Sequence, residues 1–150
     1  MKQHNFKVVA LKDLVSYPLK DYDSDNTMVI QILHKGPNKN RLKRLQYGEL
    51  KTFIFNDEDE GQKGFLTDDV AREIVKLGKK LARTKKKYNI IVSCYAGLSR
   101  SPATAMALLG VIFNETKDIR YGIKGTELLD KYPHYNKDVF NKVKRIYEQG

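Results

Sequence analysis

One stretch of the sequence, residues 90–106, brings together a nucleophile, a cation and a glycine. Cys94, the only cysteine, ends an apolar run rich in β-branched residues, and Arg100 follows six positions later, a C-x5-R spacing. Gly97 lies between them, and Pro102 opens a second apolar run. This pattern predicts a strand, an anion-binding loop and a helix. The loop amides, next to a helix N-terminus, would form a ring that binds a tetrahedral dianion.

The residue types in this stretch suit phosphoryl transfer. A thiol attacks as its thiolate, and a helix N-terminus, converging amides and the Arg100 guanidinium all favour that anion at Cys94. The planar guanidinium can hold two oxygens of a phosphoryl group, a task that could otherwise fall to a metal ion. Ser99 and Ser101 add hydroxyl groups beside the sulfur and the loop, and Gly97 allows a turn that a β-carbon would hinder.

The segment Cys94-x-x-Gly97-x-Ser99-Arg100-Ser101 resembles the signature of cysteine-dependent protein phosphatases. Its residues 96–101 are most similar to those of the dual-specificity branch. The resemblance implies a phosphocysteine intermediate at Cys94, with Ser101 assisting departure of the sulfur. It also implies that the phosphoryl oxygens are bound by the backbone amides of Tyr95, Ala96, Gly97, Leu98, Ser99 and Arg100.

One position departs from the family pattern. The family usually has histidine directly before the cysteine, and this chain has Ser93 there. Without the imidazole the thiolate loses one supporting contact, so a phosphatase-like module that binds phosphorylated partners without turning them over is an alternative. An isolated cysteine is also most often a small buried core residue. The surrounding strand, glycine, hydroxyl groups and helix favour the phosphate-binding interpretation.

Two aspartates could supply the proton that a leaving oxygen needs. Asp57 follows residues 51–55 almost directly, which is where dual-specificity phosphatases carry their general acid, and Asp59 lies two residues further along. We favour Asp57. Like charges from Glu58, Asp59 and Glu60 disfavour its ionisation and would keep a proton on it near neutral pH. The alternative is a solvated acidic loop that balances a basic surface.

Four apolar runs predict the strands that position these groups, at residues 6–11, 27–33, 51–55 and 88–93. Residues 27–33 are apolar almost without interruption, which is typical of a strand buried on both faces of a parallel sheet. Because helical patterns separate and follow the runs, we expect an α/β fold with a mainly parallel central sheet flanked by helices. The catalytic loop would then lie at the carboxyl end of its strand.

Three helices have clear patterns. Thr67 is the predicted N-cap of the first, in which apolar residues recur at helical spacing: Val70, Ile74, Leu77 and Leu81. The second begins near Arg100 and is apolar nearly all round as far as Phe113, which indicates a buried central helix. Residues 136–148 form the third, an amphipathic helix.

Weaker signals come from the first third of the chain. Residues 12–17 are predicted as a turn or short helix stopped by Pro18, and residues 21–26 as a turn. Residues 35–50, which contain five basic residues and no acidic residue before Glu49, are predicted as a loop leading into a short basic helix. Lysines and arginines there could face a substrate, although a solvated charge run is the simpler interpretation.

The last third of the chain contains a predicted connector at residues 115–121 and a short helical piece at residues 126–131. His34, after the second predicted strand, has no second histidine, cysteine or carboxylate at ligand spacing. We therefore expect no metal site and no cofactor.

Length and composition bound the remaining possibilities. The chain has 150 residues, which suits a single domain over residues 1–150. A hydrophobic content of 41% with 31% charged residues is typical of soluble globular proteins, and no apolar run approaches a membrane span. The N-terminus lacks the long apolar core of a secretion signal, and a single cysteine excludes an internal disulfide. We therefore expect a cytoplasmic protein.

A formal net charge of +10 favours anionic partners. The expected partner is a phosphorylated protein or another anionic phosphorylated substrate, and nucleic acid is possible but not favoured. A lysine-rich surface that serves only solubility is the alternative.

Together these features predict a metal-independent phosphomonoester hydrolase. By resemblance it is a protein tyrosine or dual-specificity phosphatase, whose substrates carry phosphotyrosine together with phosphoserine or phosphothreonine. An RNA 5′-triphosphate or a phosphoinositide would be open to the same chemistry.

Overall fold

A parallel β-sheet forms the centre of the structure, a computed structural model that describes residues 3–16 and 24–150. Its strands are β1 (Asn5–Ala10), β2 (Thr27–Leu33), β3 (Glu49–Ile54) and β4 (Asn89–Cys94). Within the described residues their order is β1-β4-β2-β3, and every pairing is parallel. The predicted α/β fold with a mainly parallel sheet is confirmed.

Strand β2 is buried along its whole length, as its unbroken apolar run predicts. Side chains at alternate positions enter different cores, because successive residues of a strand point to opposite faces. Met28, Ile30 and Ile32 join the larger core under the long helices. Val29 and Leu33 join a smaller core on the other face. Each fully buried aliphatic side chain of this kind contributes roughly 1.5–3 kcal/mol to folding.

The long helices cover one face of the sheet. The helices are α1 (Leu11–Ser16), α2 (Asp68–Arg83), α3 (Arg100–Thr116), α4 (Ile119–Lys131) and α5 (Lys137–Gln149). Thr67 caps α2 as predicted, its hydroxyl accepting from the Val70 N–H at 3.3 Å. Helix α3 is the predicted central helix and is buried from Arg100 to Leu109. In the described part of the chain, no helix is both long and apolar enough to cross a membrane.

The other face is covered by α1 and by residues 34–48, which contain no helix. The predicted short basic helix in residues 35–50 is therefore wrong. Gln31, at the centre of β2, holds this segment: its amide nitrogen donates to the Leu42 carbonyl at 2.8 Å, and its oxygen accepts from the Leu42 N–H at 3.0 Å. Leu42 is consequently buried against Leu14 and Val29. The segment lacks helical hydrogen bonds. It is held instead by the burial of Leu42 and by the two hydrogen bonds from Gln31.

Helix α4 corrects a second expectation. The predicted connector at residues 115–121 and the short piece at residues 126–131 are mostly one helix, which begins at Ile119. Lys117 takes the left-handed conformation (φ 60°) that ends α3, and the Asp118 carboxylate then caps α4 by accepting from the Arg120 N–H at 3.1 Å.

Helix α1 overlaps the predicted turn or short helix at residues 12–17 but begins one residue earlier, at Leu11. Pro18, which was expected to stop it, lies outside the described residues, as does the first half of the turn predicted at residues 21–26.

Candidate active site

The candidate nucleophile lies at the carboxyl edge of the sheet. Cys94 is the last residue of β4, which lies between β1 and β2, and the helix α3 starts at Arg100. The intervening residues 95–99 form a loop between strand and helix. In open α/β sheets ligands bind outside the carboxyl ends of the strands, so this is a natural place for a site.

The Cys94 sulfur is buried and receives two contacts from the first turn of α3. The Ser101 N–H points at Sγ with a nitrogen–sulfur distance of 3.3 Å, and the Ser101 hydroxyl lies 3.1 Å from Sγ. Only 3% of the cysteine is exposed. A backbone N–H and a hydroxyl can both donate to a thiolate, and the helix N-terminus adds positive partial charge. This environment suits an anionic sulfur.

Arg100, the first residue of α3, is buried, and its side chain is held at the end of β3. One terminal nitrogen (Nη1) donates to the carbonyl of Phe55, the residue directly after β3, at 2.9 Å. A guanidinium held in this way is fixed in orientation before a substrate arrives, so less conformational entropy is lost when it binds an oxyanion.

Gly97 allows the loop at residues 95–99 to pack closely against the end of β1. Its φ of +72° lies in the left-handed region, and a β-carbon there would come within 2.8 Å of the Ala10 nitrogen and 3.0 Å of the Ala10 Cα. Ala10 in turn pairs in register with Cys94. Only glycine fits both the backbone angle and the space, so this contact holds the loop against the end of β1.

The other predicted loop residues present their side chains differently. Tyr95 and Leu98 are exposed, at 63% and 60%, and Ala96 is exposed as well. Ser99 points instead toward the loop after β3, where its hydroxyl donates to the Asp57 carboxylate at 2.7 Å. The loop therefore offers an apolar rim to solvent and one hydroxyl to the candidate acid.

Asp57 is brought to the loop by two donors on the same carboxylate oxygen. Besides Ser99, the Asn136 amide donates to Asp57 Oδ1 at 2.9 Å. Because Oδ1 accepts both hydrogen bonds, the acidic proton of a neutral Asp57 would reside on Oδ2. The other candidate, Asp59, lies in a turn in which its backbone N–H donates to the Gln62 side chain at 2.6 Å.

Two of the neighbouring carboxylates, those of Glu58 and Glu60, have partners of their own. Glu58 accepts from the Asn56 amide at 3.0 Å and from the Gly64 N–H at 2.8 Å, and these hydrogen bonds, with the charge of Lys35, hold its pKa below the usual value. Glu60 forms an ion pair with Arg145 at 2.7 Å. The negative charges of Glu58 and Glu60, which were expected to act on Asp57, are therefore compensated locally.

Asn136 is a residue of the site that the sequence analysis did not single out. It is the N-cap of α5, with its side-chain oxygen accepting from the Val139 N–H at 3.0 Å. Its amide nitrogen donates to Asp57 and also to the Glu58 carbonyl at 2.9 Å, and its backbone N–H donates to the Ser99 carbonyl at 3.1 Å. The only sequence signal was an asparagine at the start of an amphipathic helix, which predicts a cap and nothing more.

Ser93, the position that departs from the family pattern, is fully buried in the sheet. It pairs in register with Val9 on one side and Gln31 on the other. Its hydroxyl has no hydrogen-bond partner among the described residues. Among residues 3–16 and 24–150, no group of three or more His, Cys, Asp and Glu side chains could hold a metal ion.

The fold is similar to that of solved phosphatase structures. Human DUSP28 matches with a TM-score of 0.58 and 9% identity, over 96% of this chain and 92% of that protein. Tk-PTP in its active form matches with a TM-score of 0.54 and 15% identity, over 97% and 91% of the two chains. A mouse putative dual specificity phosphatase complexed with zinc tungstate gives 0.53 and 10%, over 87% and 74%. No protein-family model and no curated protein sequence matches this chain.

Proposed function

We propose that the protein is a cysteine-dependent phosphomonoester hydrolase of the protein tyrosine or dual-specificity type. The observation that carries the proposal is the Cys94 sulfur, buried at the start of α3 between the Ser101 N–H and the Ser101 hydroxyl. Arg100 donates to the Phe55 carbonyl and Ser99 donates to Asp57, so the guanidinium and the candidate acid are both held at the segment that follows β3. The similarity of the fold to phosphatase structures supports the proposal.

In the first step the Cys94 thiolate attacks phosphorus. An S–P bond forms while the P–O bond to the leaving group breaks, and Asp57 gives its proton to the departing oxygen. The Arg100 guanidinium and the amides of the loop, from Tyr95 to Arg100, hold the three equatorial oxygens. The products of this step are the dephosphorylated alcohol or phenol and a phosphocysteine.

In the second step water attacks the same phosphorus. Asp57, now a carboxylate, takes a proton from the water, and the S–P bond breaks to release inorganic phosphate. The sulfur leaves as a thiolate, which the Ser101 hydroxyl at 3.1 Å stabilises by donating a hydrogen bond. Asp57 is left protonated and the enzyme returns to its starting state.

A phosphorylated protein is the proposed substrate class, and the cytoplasm the proposed compartment. The exposed side chains of Tyr95 and Leu98 offer apolar surface beside the sulfur, which suits the ring of phosphotyrosine or the chain around a phosphoserine. A reducing compartment would preserve the Cys94 thiol. The net charge of +10 keeps RNA 5′-triphosphates and phosphoinositides as the alternative substrates.

Hydrolysis of p-nitrophenyl phosphate in the presence of EDTA tests the proposal. Wild type should release phosphate, and Cys94→Ser should lose at least about 10³-fold in kcat while still binding vanadate, because the loop amides and Arg100 remain. Comparable turnover by the serine variant would refute the mechanism. A panel of phosphopeptides, RNA 5′-triphosphate and phosphoinositides, each also with EDTA, then identifies the substrate class.

A binding module without turnover is the second candidate, and Ser93 is the observation that favours it. Its hydroxyl cannot supply the support that the imidazole of the family provides, and it lacks any hydrogen-bond partner in the described structure. The module would bind phosphopeptides as tightly in wild type as in Cys94→Ser and release no phosphate from either. The hydrolase would release phosphate from the wild-type complex only.

A further inference from the structure

Strand β3 is an outer edge of the sheet. Its hydrogen-bonded neighbour is β2, and the described residues provide no strand on its other side. The N–H of Phe55, just beyond the strand, points at the Leu33 carbonyl of β2. Because backbone groups alternate in direction along a strand, those of Thr52 and Ile54 point outward. An edge of this kind can pair with another extended chain.

A groove of about 320 Å³ runs between this edge and helix α2. It is lined by Lys51, Phe53, Glu73, Lys76, Leu77 and Lys80. None of the three lysine side chains has an ion-pair or hydrogen-bond partner among residues 3–16 and 24–150, in contrast to the side chain of Lys142, which is paired with Asp68. With one glutamate against three lysines, the groove is a positively charged channel beside unpaired backbone groups.

The two faces of the edge differ in character. Lys51 and Phe53 line the groove on the α2 side. Ile54 belongs to the opposite face and is 49% exposed, an unusual position for a large apolar side chain. Lysines on an edge strand often serve only to prevent aggregation, but an edge that carries an exposed isoleucine is not fully protected in that way.

We propose that the β3 edge and the α2 groove bind an extended acidic segment of a partner protein. The segment would add as a fifth strand, with backbone hydrogen bonds to Thr52 and Ile54. Because side chains of a strand alternate between faces, acidic residues at every second position would meet Lys51, Lys76 and Lys80. Apolar residues between them would cover Ile54. This chemistry favours a peptide over nucleic acid, since it uses the open backbone edge as well as the charge.

Because the β3 edge lies close to the candidate active site, a segment bound there would bring a phosphorylated partner to that site. Ile54 is three residues from Asp57, a reach of roughly 10 Å in extended chain. A segment bound along β3 would therefore hold the rest of its protein beside Cys94. The binding itself requires no turnover, so it is tested independently of the proposed catalytic function.

Fluorescence anisotropy with a labelled heptapeptide of alternating valine and glutamate is the direct test, using the full chain. Binding should weaken severalfold as salt rises from 50 to 300 mM, because the contacts include exposed charges. Lys76→Glu combined with Lys80→Glu should weaken it at least about tenfold, and Glu73→Gln should strengthen it about two- to threefold. The matched control is Lys85→Glu with Lys87→Glu, which changes the net charge equally outside the groove and should leave affinity within about twofold.

The backbone component has its own test. A peptide N-methylated at alternate amides keeps every charge but cannot complete the strand pairing, so its affinity should fall at least about tenfold. In ¹H–¹⁵N spectra the amides of Thr52 and Ile54 should shift on addition of the unmodified peptide. The circular dichroism spectrum and the urea midpoint should be unchanged in both double variants, which shows that they are folded.

Three results would overturn the inference. Absence of peptide binding at millimolar concentration would mean that the lysines only protect the edge. Equal binding of the N-methylated peptide would mean that charge alone attracts it. Binding of a single-stranded RNA that is lost in Lys76→Glu with Lys80→Glu, without peptide binding, would assign the groove to nucleic acid.

Discussion

At the scale of single residues, the two candidate acids, Asp57 and Asp59, differ in their contacts: one carboxylate oxygen of Asp57 accepts two hydrogen bonds. The Ser99 hydroxyl and the Asn136 amide both donate to Oδ1, which leaves Oδ2 to carry a proton. A general acid matters most when the leaving group is poor, because an activated aryl oxide departs without protonation. The choice between the two aspartates can therefore be made from the leaving group.

We predict that Asp57→Asn slows the hydrolysis of phosphotyrosine about 10²-fold or more in kcat but that of an activated aryl phosphate much less. The variant should also lose the alkaline fall of the pH–rate profile. Asp59→Asn is the matched control and should behave like wild type in both respects. If the two variants exchanged these behaviours, Asp59 would be the acid.

Ser93 provides a second prediction at this scale. Replacing it by histidine should lower the pH midpoint of Cys94 alkylation by iodoacetamide, because an imidazole adds support for the thiolate. The larger side chain enters a position that is fully buried between Val9 and Gln31, so the variant should also be less stable.

Ser93→Ala is the control for that experiment. It should keep the wild-type alkylation midpoint and raise the free energy of unfolding by about 1 kcal/mol, since it removes a buried hydroxyl without a partner. An unchanged midpoint in the histidine variant would mean that the departure from the family pattern has no effect on the thiolate.

At the scale of elements, the start of α5 joins two loops of the site. Asn136 caps the helix and at the same time holds the loop that carries Asp57, while Asp138 accepts from the Glu60 N–H at 2.9 Å. The C-terminal helix thus positions the candidate acid without contributing a reacting group. A suitable substitution at Asn136 can remove its hydrogen bond to Asp57 while keeping the helix cap.

We predict that Asn136→Ser keeps most of the stability, because serine also caps helices, but slows phosphotyrosine hydrolysis about tenfold. Its hydroxyl is too short to reach Asp57. Thr67→Ala removes the cap of α2 and should cost about 1 kcal/mol in urea unfolding with no change in turnover. An Asn136→Ser enzyme with wild-type kinetics on poor leaving groups would contradict the positioning role.

The elements differ in how far sequence could predict them. The runs that became β2 and β4, and the stripe of α2, follow directly from local periodicity. Residues 34–48 do not, because their conformation is set by Gln31 and by burial of Leu42 on the sheet, contacts that composition cannot reveal. The start of α4 was missed because its first two turns contain Gly122 and Gly125, and glycine disfavours a helix. The contact between Asn136 and Asp57 spans 79 positions, beyond any local pattern.

At the scale of the whole molecule, His4 connects elements that are distant in sequence. Its Nε2–H donates to the Leu81 carbonyl at the end of α2 at 2.8 Å, and Nδ1 accepts from the Tyr88 N–H before β4 at 3.0 Å. Its backbone N–H donates to the Tyr121 hydroxyl of α4 at 3.0 Å. Both ring nitrogens are thus used by the neutral tautomer, and burial lowers the pKa of His4, only partly offset by the Leu81 carbonyl.

We predict that stability falls as the solution is acidified below pH 6.5. The unfolded chain binds a proton at His4 near that pH, whereas the folded protein does not until its lower pKa is reached, so the contribution is complete above pH 6.5 and is lost below it. Urea unfolding at pH 7.5 and 5.5 measures the change.

His4→Asn is the comparison for this measurement. Asparagine can accept from the Tyr88 N–H but has no group that titrates in this range. The variant should be less stable at pH 7.5, because the bond to Leu81 is lost, and should lose less stability on acidification. An identical pH dependence in both proteins would place the acid sensitivity at other groups.

Because Gly97 rests on Ala10, the shape of the candidate phosphate-binding loop depends on an edge strand of the sheet. Strand β1 is an edge strand whose hydrogen-bonded neighbour, in the part of the chain that the structure describes, is β4. Such elements can detach by local unfolding at a lower free energy than the whole protein requires. On heating, activity should therefore disappear reversibly several degrees before the helical circular dichroism signal, and inorganic phosphate should narrow the interval by stabilising the closed loop. Coincident transitions would mean that β1 opens only with the whole fold.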